Sequence, residues 1–425
     1  PSCCLGSEPP ALPATSTWKR VAALESELLA ASTRPSALFL TPEAPYPLAG
    51  GGALRSASLL EYLGHRYDLD AIVFRQPRAP DPASAFPANL TKEVLVLDLP
   101  YHSRHPLARL ARNLDRCRRG TPPLNDRFAG FGSEIGRFMR VRQYDFALIE
   151  HFWCAPYHEQ IAPHAGSIVL DLHNIESVLL ARCAELGGFP AAPLLRRFRD
   201  AARRLEHQWL PRFDRLLAPS SRDAELIGEL VPQARVHVYP NALPGLAEPH
   251  VPEEHVVAFS GNLEYHPNVD AIRHFRDRIW PLLRRRWPKL VWRLIGRNPG
   301  AVARLLSGDR RIQLVGPVDH AVQALAAAQV AVVPLRAGSG TRVKILEAWA
   351  ASRAVVSTTL GAEGLPAKDR EHLILADGPE AFAAAVSALL ESAERRRSLG
   401  RAGRRLYERE FTWEAAWSKL AEAEI

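Results

Sequence analysis

The sequence predicts two doubly wound α/β domains in tandem, and three observations support this. Short apolar runs alternate with helix-like segments from residue 36 to residue 240. A proline-rich stretch, residues 241–255, then interrupts the pattern, and the alternation restarts at residue 256. Because parallel strands joined by crossover helices produce this alternation, each half is expected to form a parallel sheet covered by helices.

The first half contains seven apolar runs that predict strands. They lie at residues 37–41, 70–74, 93–99, 146–152, 167–173, 215–220 and 236–240. Residues 36–240 are therefore predicted to form an N-terminal Rossmann-like domain. The preceding residues 1–35 are rich in proline, serine and alanine, which predicts a mobile tail.

The second half contains six such runs, at residues 256–261, 291–296, 312–316, 329–334, 354–359 and 372–376. We expect a linker over residues 241–255, a second Rossmann-like domain over residues 256–395 and C-terminal helices over residues 396–425. In doubly wound sheets ligands bind beyond the carboxyl ends of the strands, so these ends are where chemistry is expected.

Composition narrows the class of protein. The chain has 425 residues, 47% hydrophobic and 24% charged, which is typical of a globular protein with a full core. The five cysteines form no Cys-x-x-Cys pair, which argues against a disulfide framework or a zinc site and favours a reducing cytoplasm. The net charge of +8 indicates an anionic partner.

The stretch "PLRAGSGTRVKILEAWA", residues 334–350, predicts an anion site. A strand ends, a turn rich in glycine follows, and a helix begins with Arg342 and Lys344. Cations are disfavoured at a helix start, whose partial charge is positive, unless an anion binds there. Glu347 lies one turn later, where it can accept hydrogen bonds from hydroxyl groups. The alternative is a surface helix with a Lys344–Glu347 pair.

Several further motifs of the second half follow in a recognisable order: "FSGNLEYHPNVDAI", "WRLIGRNP", "IQLVGPVDH" and, after the anion-site helix, "GAEGL". Together they resemble the nucleotide-sugar-binding half of retaining family-4 glycosyltransferases. The resemblance implies the GT-B fold, with two Rossmann-like domains facing each other across a cleft. The pattern "G-x-G-T-R-x-K" resembles a subgroup associated with exopolysaccharide synthesis.

The resemblance implies a donor site and one departure from the family. The expected donor-binding residues are Gly51, Gly52, Gly261, Asn262, Gly338, Ser339, Gly340, Thr341, Arg342, Lys344 and Glu347. Many members carry a glutamate eight residues before the position of Glu347, where this chain has Ser339. Arg342 and Lys344 are expected to contact the diphosphate of the donor.

Two histidines end strands of the first half. His151 follows "FALIE" and His173 follows "VLDL", so both are expected at the cleft edge of the sheet, although a single histidine there is more often structural. The segment "HNIES" resembles the histidine loop of the family. The resemblance implies no metal and no cofactor, and the expected catalytic residues are His173, Asn174, Glu176, His151 and Lys344.

Residues 101–145 carry ten arginines, no lysine and four acidic residues, an excess of six positive charges. Leucine and phenylalanine are interspersed. One interpretation is a solvated helical face, and the other is a surface that rests on an anionic membrane. The family often uses this part of its first domain for lipid-linked acceptors.

The sequence therefore predicts a cytoplasmic glycosyltransferase, peripheral on the inner face of the membrane. It is expected to move a sugar from a nucleoside diphosphate sugar to a glycan or lipid-linked acceptor with retention of configuration. At the C-terminus, Phe411, Thr412 and Trp413 match a family helix that crosses back to the first domain. One alternative is a non-catalytic GT-B scaffold that binds nucleotide or glycan. Nucleic-acid binding is not expected, since no recognition motif is present.

Overall fold

A computed structural model describes residues 34–425, except residues 49, 104, 187–190, 319, 339 and 341. The predicted mobile tail lies outside the described residues except for its last two. Two parallel sheets form the framework, one of seven strands and one of six. The prediction of two tandem doubly wound α/β domains is confirmed.

The first sheet has the strand order β3-β2-β1-β4-β5-β6-β7. Its strands are β1 (Ser36–Thr41), β2 (Asp68–Arg75), β3 (Glu93–Asp98), β4 (Phe146–Glu150), β5 (Ile168–Asp171), β6 (Arg215–Ala218) and β7 (Val236–Val238). The helices of this half are α1 (Gly51–Arg66), α2 (Pro106–Arg119), α3 (Pro123–Arg127), α4 (Gly132–Met139), α5 (His158–Ile161), α6 (Glu176–Leu186), α7 (Ala191–Trp209) and α8 (Ser221–Leu230).

The second sheet has the order β10-β9-β8-β11-β12-β13. Its strands are β8 (Glu254–Ser260), β9 (Val291–Ile295), β10 (Ile312–Val315), β11 (Ala328–Val333), β12 (Ala354–Ser357) and β13 (Ile374–Leu375). The helices are α9 (His266–His274), α10 (Trp280–Arg286), α11 (Gly300–Leu306), α12 (Ala321–Leu325), α13 (Val343–Ala350), α14 (Pro379–Glu391), α15 (Ala393–Glu410) and α16 (Trp413–Glu422).

Shorter helical pieces connect these elements. Five are 3₁₀ turns, at Pro82–Ala85, Phe152–Tyr157, Ala162–His164, Leu210–Arg212 and Leu360–Ala362. A π-helical turn, Phe275–Ile279, joins α9 to α10. In the described part of the chain, no helix is both long and apolar enough to cross a membrane.

Each sheet reverses its strand order beside its first strand, and this positions the site. β1 pairs with β2 on one side and with β4 on the other, and β8 likewise lies between β9 and β11. The central strands read as continuous apolar runs because helices cover both faces of a parallel sheet. The crevices at the two reversal points are the expected ligand sites.

The C-terminal helix α16 belongs to the core of the first domain. Trp413, Ala416 and Leu420 are buried together with Phe39 and Tyr62. The Tyr62 hydroxyl donates a hydrogen bond to the carbonyl of Ile425 at 2.5 Å. The chain therefore returns to its first half after completing the second sheet.

Leu420→Ala is expected to lower the free energy of unfolding by about 2–5 kcal/mol, because it leaves a cavity in the first core. Urea denaturation of the full chain measures the change. Glu422→Ala, an exposed position on the same helix, is the matched control. Equal stability of the two variants would contradict the packing of α16 in that core.

Candidate active site

Three stacked glycines form the floor of a crevice in the second domain. Gly261, Gly296 and Gly316 follow β8, β9 and β10 and have φ angles of 143°, 147° and 136°. A Cβ atom on Gly296 would lie 1.9 Å from the carbonyl oxygen of Gly261, and one on Gly316 would lie 2.3 Å from that of Gly296. Only glycine tolerates this close approach, so the sequence opens space at these strand ends.

A pocket of about 530 Å³ lies above Gly261 and Gly296. Apolar side chains of both domains and of the linker form most of its wall: Leu48, Leu54, Leu243, Leu246, Ile295, Val318 and Val322. Its polar side chains are Asn262, Arg297, His320, Gln323 and Glu347. A mostly apolar cavity with a few polar groups is typical of a small-molecule site.

Glu347 is a buried hydrogen-bond acceptor in this pocket. The hydroxyl of Ser260 donates to Glu347 Oε2 at 2.6 Å. Burial raises the pKa of Glu347, while the Ser260 hydrogen bond and Lys344 act against that rise. Glu347 therefore lines the pocket with one carboxylate oxygen bound to Ser260.

Lys344 lies beside the glycine floor. Its Cε atom is 3.7 Å from the position that a Cβ on Gly261 would take, and its Nζ is 5.6 Å from the ring centre of Phe259. Burial, together with the nearby charge of Arg342, lowers the pKa of Lys344 to about 8. Among the described residues, Lys344 Nζ has no hydrogen-bond partner and no carboxylate within ion-pair distance.

Arg342 has other contacts than Lys344, although the two are almost adjacent in sequence. It occupies the N-cap position of α13. Its guanidinium lies over the turn: a Cβ on Gly338 would be 2.9 Å from Nη1, and Nη2 donates to the carbonyl of Leu360 at 3.4 Å. Burial lowers the pKa of Arg342. Its expected contact with a diphosphate stays a prediction.

The remaining donor residues mark where the domains meet. A Cβ on Gly340 would lie 2.4 Å from the carbonyl oxygen of His173, and one on Gly51 would lie 3.0 Å from Val343 Cγ2. Gly52 packs against the carboxylate of Glu43, which belongs to the same domain. Ser339 and Thr341 lie outside the described residues.

Asn262 organises the loop that follows β8. Its carbonyl oxygen accepts from Asn268 Nδ2 at 2.8 Å, and its side-chain oxygen accepts from the amide of Glu264 and from Asn298 at 3.1 Å each. The side chain therefore fixes the rim of the pocket from two directions.

His173 is the centre of a buried ion-pair network in the first domain. Its Nε2 lies 3.1 Å from Glu150 Oε1 and 3.2 Å from Asp171 Oδ2. Burial opposes charge on the imidazole, but the hydrogen bonds to Asp171 and Glu150 outweigh it and raise the pKa of His173 to about 9. The imidazole is therefore protonated at neutral pH.

Arg55 completes this network. Its Nε donates to Asp171 Oδ2 at 2.8 Å, and a second nitrogen donates to the other oxygen. Glu150, Asp171 and His173 have ligand atoms within 4.8 Å of one another, a spacing that suits a metal ion. The contacts with Arg55 and with protonated His173 balance the two carboxylates instead.

His151 is neutral and held in an unusual conformation. Its φ is 62°, a sparsely populated region that is typical of functional sites. The ring lies between those of His173 and Trp153: it is tilted by 32° against His173 at a centroid distance of 3.6 Å and is stacked on Trp153 at 4.1 Å. Burial and the charge of His173 hold the pKa of His151 well below its usual range. Its buried Nε2 has no hydrogen-bond partner among the described residues.

Asn174 and Glu176 continue from His173 towards the second domain. Asn174 Oδ1 lies 3.3 Å from the Cβ position of Gly340. Glu176 begins α6 and accepts a hydrogen bond from Trp153 Nε1 at 2.9 Å. Burial, with a contribution from Glu206, raises the pKa of Glu176 to about 7. The predicted catalytic residues of the first domain therefore lie together at one sheet edge.

Three charged residues of the crevice were missed by the sequence analysis. Arg297, directly after Gly296, reaches across to Gly50, whose Cβ would lie 2.8 Å from Nη2. Glu43 follows β1. Burial raises the pKa of its carboxyl group, while the charges of His173 and Arg297 act against that rise. Arg182 of α6 donates to the carbonyl of Gly338 at 2.6 Å and pairs with Glu363, so it joins the domains. Only Arg297 has a local signal, a cation directly after a strand-ending glycine.

Residues 254–392 match the family model described as glycosyl transferases group 1. This match covers about a third of the chain. A search of curated protein sequences gave no match.

Solved structures are similar over almost the whole chain. Sucrose-phosphate synthase from Thermosynechococcus elongatus has 17% identity and a TM-score of 0.71, over 92% of this chain and 98% of that chain. HepE from Anabaena, in complex with UDP and glucose, has 13% identity and a TM-score of 0.61, over 92% and 99%. A TarM mutant from S. aureus, in complex with fondaparinux, alpha-GlcNAc-glycerol and UDP, has 9% identity and a TM-score of 0.65, over 91% and 99%. These similarities establish the fold, and the prediction of GT-B is confirmed.

Glu150→Gln is expected to lower the pKa of His173 from about 9, because it removes one of the two negative charges that stabilise the imidazolium. An NMR titration of the histidine ring signals measures this shift, with His173 assigned from its loss in His173→Gln. The signal of His65, an exposed histidine, is expected to stay unchanged. An unmoved His173 pKa would contradict the assigned network.

Proposed function

We propose that the protein is a glycosyltransferase that uses a nucleoside diphosphate sugar as donor and a glycan or lipid-linked molecule as acceptor. The observation that carries the proposal is the pocket between the domains. It combines an apolar wall, a buried hydroxyl acceptor in Glu347 and two cations, Lys344 and Arg297, beside a glycine floor. The match of residues 254–392 to glycosyl transferases group 1 supports it.

The chemistry of the pocket suggests how the donor lies. The nucleoside fits the apolar part near Val318 and Val322, and its ribose hydroxyls donate to Glu347. The diphosphate lies over Gly261, within reach of Lys344 and Arg297. Arg342 packs against the turn at Gly338 and stabilises it. Compact ammonium and planar guanidinium groups both bind phosphate oxygens strongly.

The transferred sugar then lies towards the first domain. The bond between its anomeric carbon and the diphosphate breaks, and the electron pair stays on the diphosphate oxygen. The acceptor hydroxyl oxygen bonds to that carbon on the same face, which retains the configuration. The hydroxyl proton passes to the departing phosphate, so no covalent enzyme intermediate forms. Lys344 stabilises the charge that develops on the diphosphate.

The cluster of the first domain orients the sugar. Protonated His173 and the amide of Asn174 are hydrogen-bond donors, and Glu176 accepts from sugar hydroxyls. His151 keeps the imidazole of His173 in place through ring stacking. The proposal needs no cofactor or metal, because the nucleotide sugar itself supplies the activated group.

A panel of UDP-, GDP- and ADP-sugars tests the function. The true donor is expected to raise the melting temperature with concentration, since a ligand that binds the folded state stabilises it. Release of nucleoside diphosphate, by hydrolysis or by transfer to an added glycan, then separates an enzyme from a non-catalytic scaffold. Binding without any release would favour the scaffold, and no binding would overturn the proposal.

Lys344→Ala is expected to weaken binding of the nucleoside diphosphate by about 10- to 100-fold, because one charged hydrogen bond to the diphosphate is lost. Isothermal titration calorimetry measures the affinity. Lys368→Ala removes an exposed lysine of the same domain and is the matched control. Unchanged affinity in Lys344→Ala, with a wild-type melting temperature, would overturn the donor assignment.

The pH dependence gives this variant a second readout. The diphosphate binds the charged form of Lys344, whose pKa is about 8 in the free protein. Wild-type affinity is therefore expected to fall as the pH rises above 8, by up to about tenfold per pH unit. Lys344→Ala is expected to lose this dependence.

We also propose that the enzyme acts on the cytoplasmic face of a membrane, in exopolysaccharide or cell-surface glycan synthesis. Helix α2 supports this, because Leu107, Leu110 and Leu114 form a stripe that is 70%, 56% and 61% exposed. Arginines flank the stripe, three of them in the last turn of α2. An apolar stripe with cationic flanks suits an anionic lipid surface.

Vesicle flotation tests the membrane surface. The wild type is expected to float with vesicles of phosphatidylcholine and phosphatidylglycerol and less with phosphatidylcholine alone. Changing Leu107, Leu110 and Leu114 to serine is expected to abolish flotation, whereas Leu282→Ser, at an exposed leucine of the second domain, leaves it intact. Equal binding to neutral and anionic vesicles would contradict the proposal.

A further inference from the structure

The turn between β11 and α13 is held from outside its own domain. Its described glycines, Gly338 and Gly340, have φ angles of 138° and 74°, a region of backbone conformation that favours glycine. Glycine loses more conformational freedom than any other residue when it is ordered, so such a turn depends on contacts with other segments for a single conformation. Several of these contacts come from the first domain, although the turn belongs to the second.

The first contact is made by Arg182, in the second turn of α6. Its Nη1 donates to the carbonyl of Gly338 at 2.6 Å, and its two terminal nitrogens donate to the two carboxylate oxygens of Glu363 at 2.5 Å and 2.9 Å. Glu363 follows the 3₁₀ turn Leu360–Ala362, so both partners of Arg182 belong to the second domain. A guanidinium fork on a carboxylate fixes the direction of the side chain as well as its position.

The second contact is made by Asp223 of α8. The hydroxyl of Ser220, the N-cap residue of α8, donates to Asp223 Oδ2 at 2.5 Å. Burial raises the pKa of Asp223, while its hydrogen bonds to Ser220 and to the backbone of Gly340 act against that rise. Arg182 therefore holds the turn at Gly338, and Asp223 holds it at Gly340.

The two backbones also touch directly at this boundary. A Cβ atom on Gly340 would lie 2.4 Å from the carbonyl oxygen of His173, and one on Gly364 would lie 2.7 Å from Ser220 Oγ. Both glycines belong to the second domain, and the atoms that they approach belong to the first. Three segments of the first domain, the loop after β5, α6 and the start of α8, thus pack against this region of the second.

Helix α6 is itself anchored, so Arg182 has a defined position. Glu176, its first residue, accepts from Trp153 Nε1 at 2.9 Å. The amide of Ser177 donates to Glu206 Oε1 at 3.0 Å, which ties the start of α6 to α7. The helix that begins in the histidine cluster therefore ends its contacts on the turn of the other domain.

We propose that Arg182 and Asp223 are positioning residues through which the first domain sets the affinity for the donor diphosphate without touching it. They hold the backbone of the turn at Gly338 and Gly340, and α13, which carries Lys344, begins shortly after. The donor then meets an ordered turn, and its binding does not have to supply the free energy of ordering. The assignment rests on the proposed function, since it explains how the donor site of that reaction is assembled.

Arg182→Met tests the first contact, because it keeps the length of the side chain and removes every hydrogen-bond donor. It is expected to weaken binding of UDP, GDP or ADP, whichever raises the melting temperature of the wild type most, by about tenfold. Isothermal titration calorimetry on the full chain measures the affinity. Arg199→Met is the matched control, because Arg199 of the first domain pairs with its neighbour Asp200 at the surface. Arg182→Lys, which retains a charged donor, is expected to recover part of the affinity.

Asp223→Ala and Asp223→Asn test the second contact. Alanine removes the acceptor for the backbone of Gly340 and is expected to weaken nucleoside diphosphate binding by about tenfold, whereas asparagine keeps an acceptor oxygen and is expected to retain most of the affinity. Equal losses in the two variants would contradict positioning through this hydrogen bond.

The outcomes separate the positioning role from the donor assignment. Wild-type affinity in Arg182→Met and in Asp223→Ala would overturn the positioning role and leave the donor assignment standing. A loss in Arg182→Met that Arg182→Lys does not reverse, with a lower melting temperature in both, would assign Arg182 a structural role only. A wild-type protein that binds none of the three nucleoside diphosphates would overturn the proposed function together with this inference.

Discussion

The ion pair between Arg55 and Asp171 is the interaction on which the crevice depends. Arg55 is fully buried in α1, and besides Asp171 it binds the carbonyl of Tyr239 at 2.7 Å and Asn241 Oδ1 at 3.1 Å. One side chain thus connects α1, the helix that begins at Gly51, to β5 and to the start of the interdomain linker. Losing one partner of such a buried pair costs about 3–5 kcal/mol, because the other charge is left without compensation.

The same pair sets the chemistry of the neighbouring histidines. Arg55 balances part of the charge of Asp171, and the hydrogen bonds of His173 to Asp171 and Glu150 outweigh its burial and raise its pKa to about 9. Burial and the charge of the His173 ring, whose centre is 3.6 Å from that of His151, lower the pKa of His151 and keep it neutral. Two histidines that end adjacent strands therefore differ in charge at neutral pH, because Glu150 and Asp171 lie within hydrogen-bond distance of His173 and stabilise its charged form.

Much of this could be predicted from the sequence, because the informative features are local. Apolar runs and their spacing predict both sheets, and Gly261 of the pocket floor is among the predicted donor residues, whereas Gly296 and Gly316 are not. The roles of Glu43 and Arg182 could not be predicted, since each depends on a contact between distant segments. The different contacts of Arg342 and Lys344 could not be predicted either, because one residue caps the helix and the other lies in its first turn.

Positive and negative side chains alternate between the pocket at the glycine floor and the last turn of α2. Cations at Lys344 and Arg297 lie on the donor side, carboxylates at Glu43 and Glu150 follow, and arginines at the end of α2 close the path. The diphosphate of the proposed donor is attracted to Lys344 and Arg297 and repelled by these carboxylates, which favours one orientation of the donor. Glu43 belongs to both surroundings, because the charge of Arg297 acts on its pKa and its side chain lines the same cavity as Arg116 and Arg127. Carboxylates therefore lie between the two groups of cations, which lowers the repulsion between those groups.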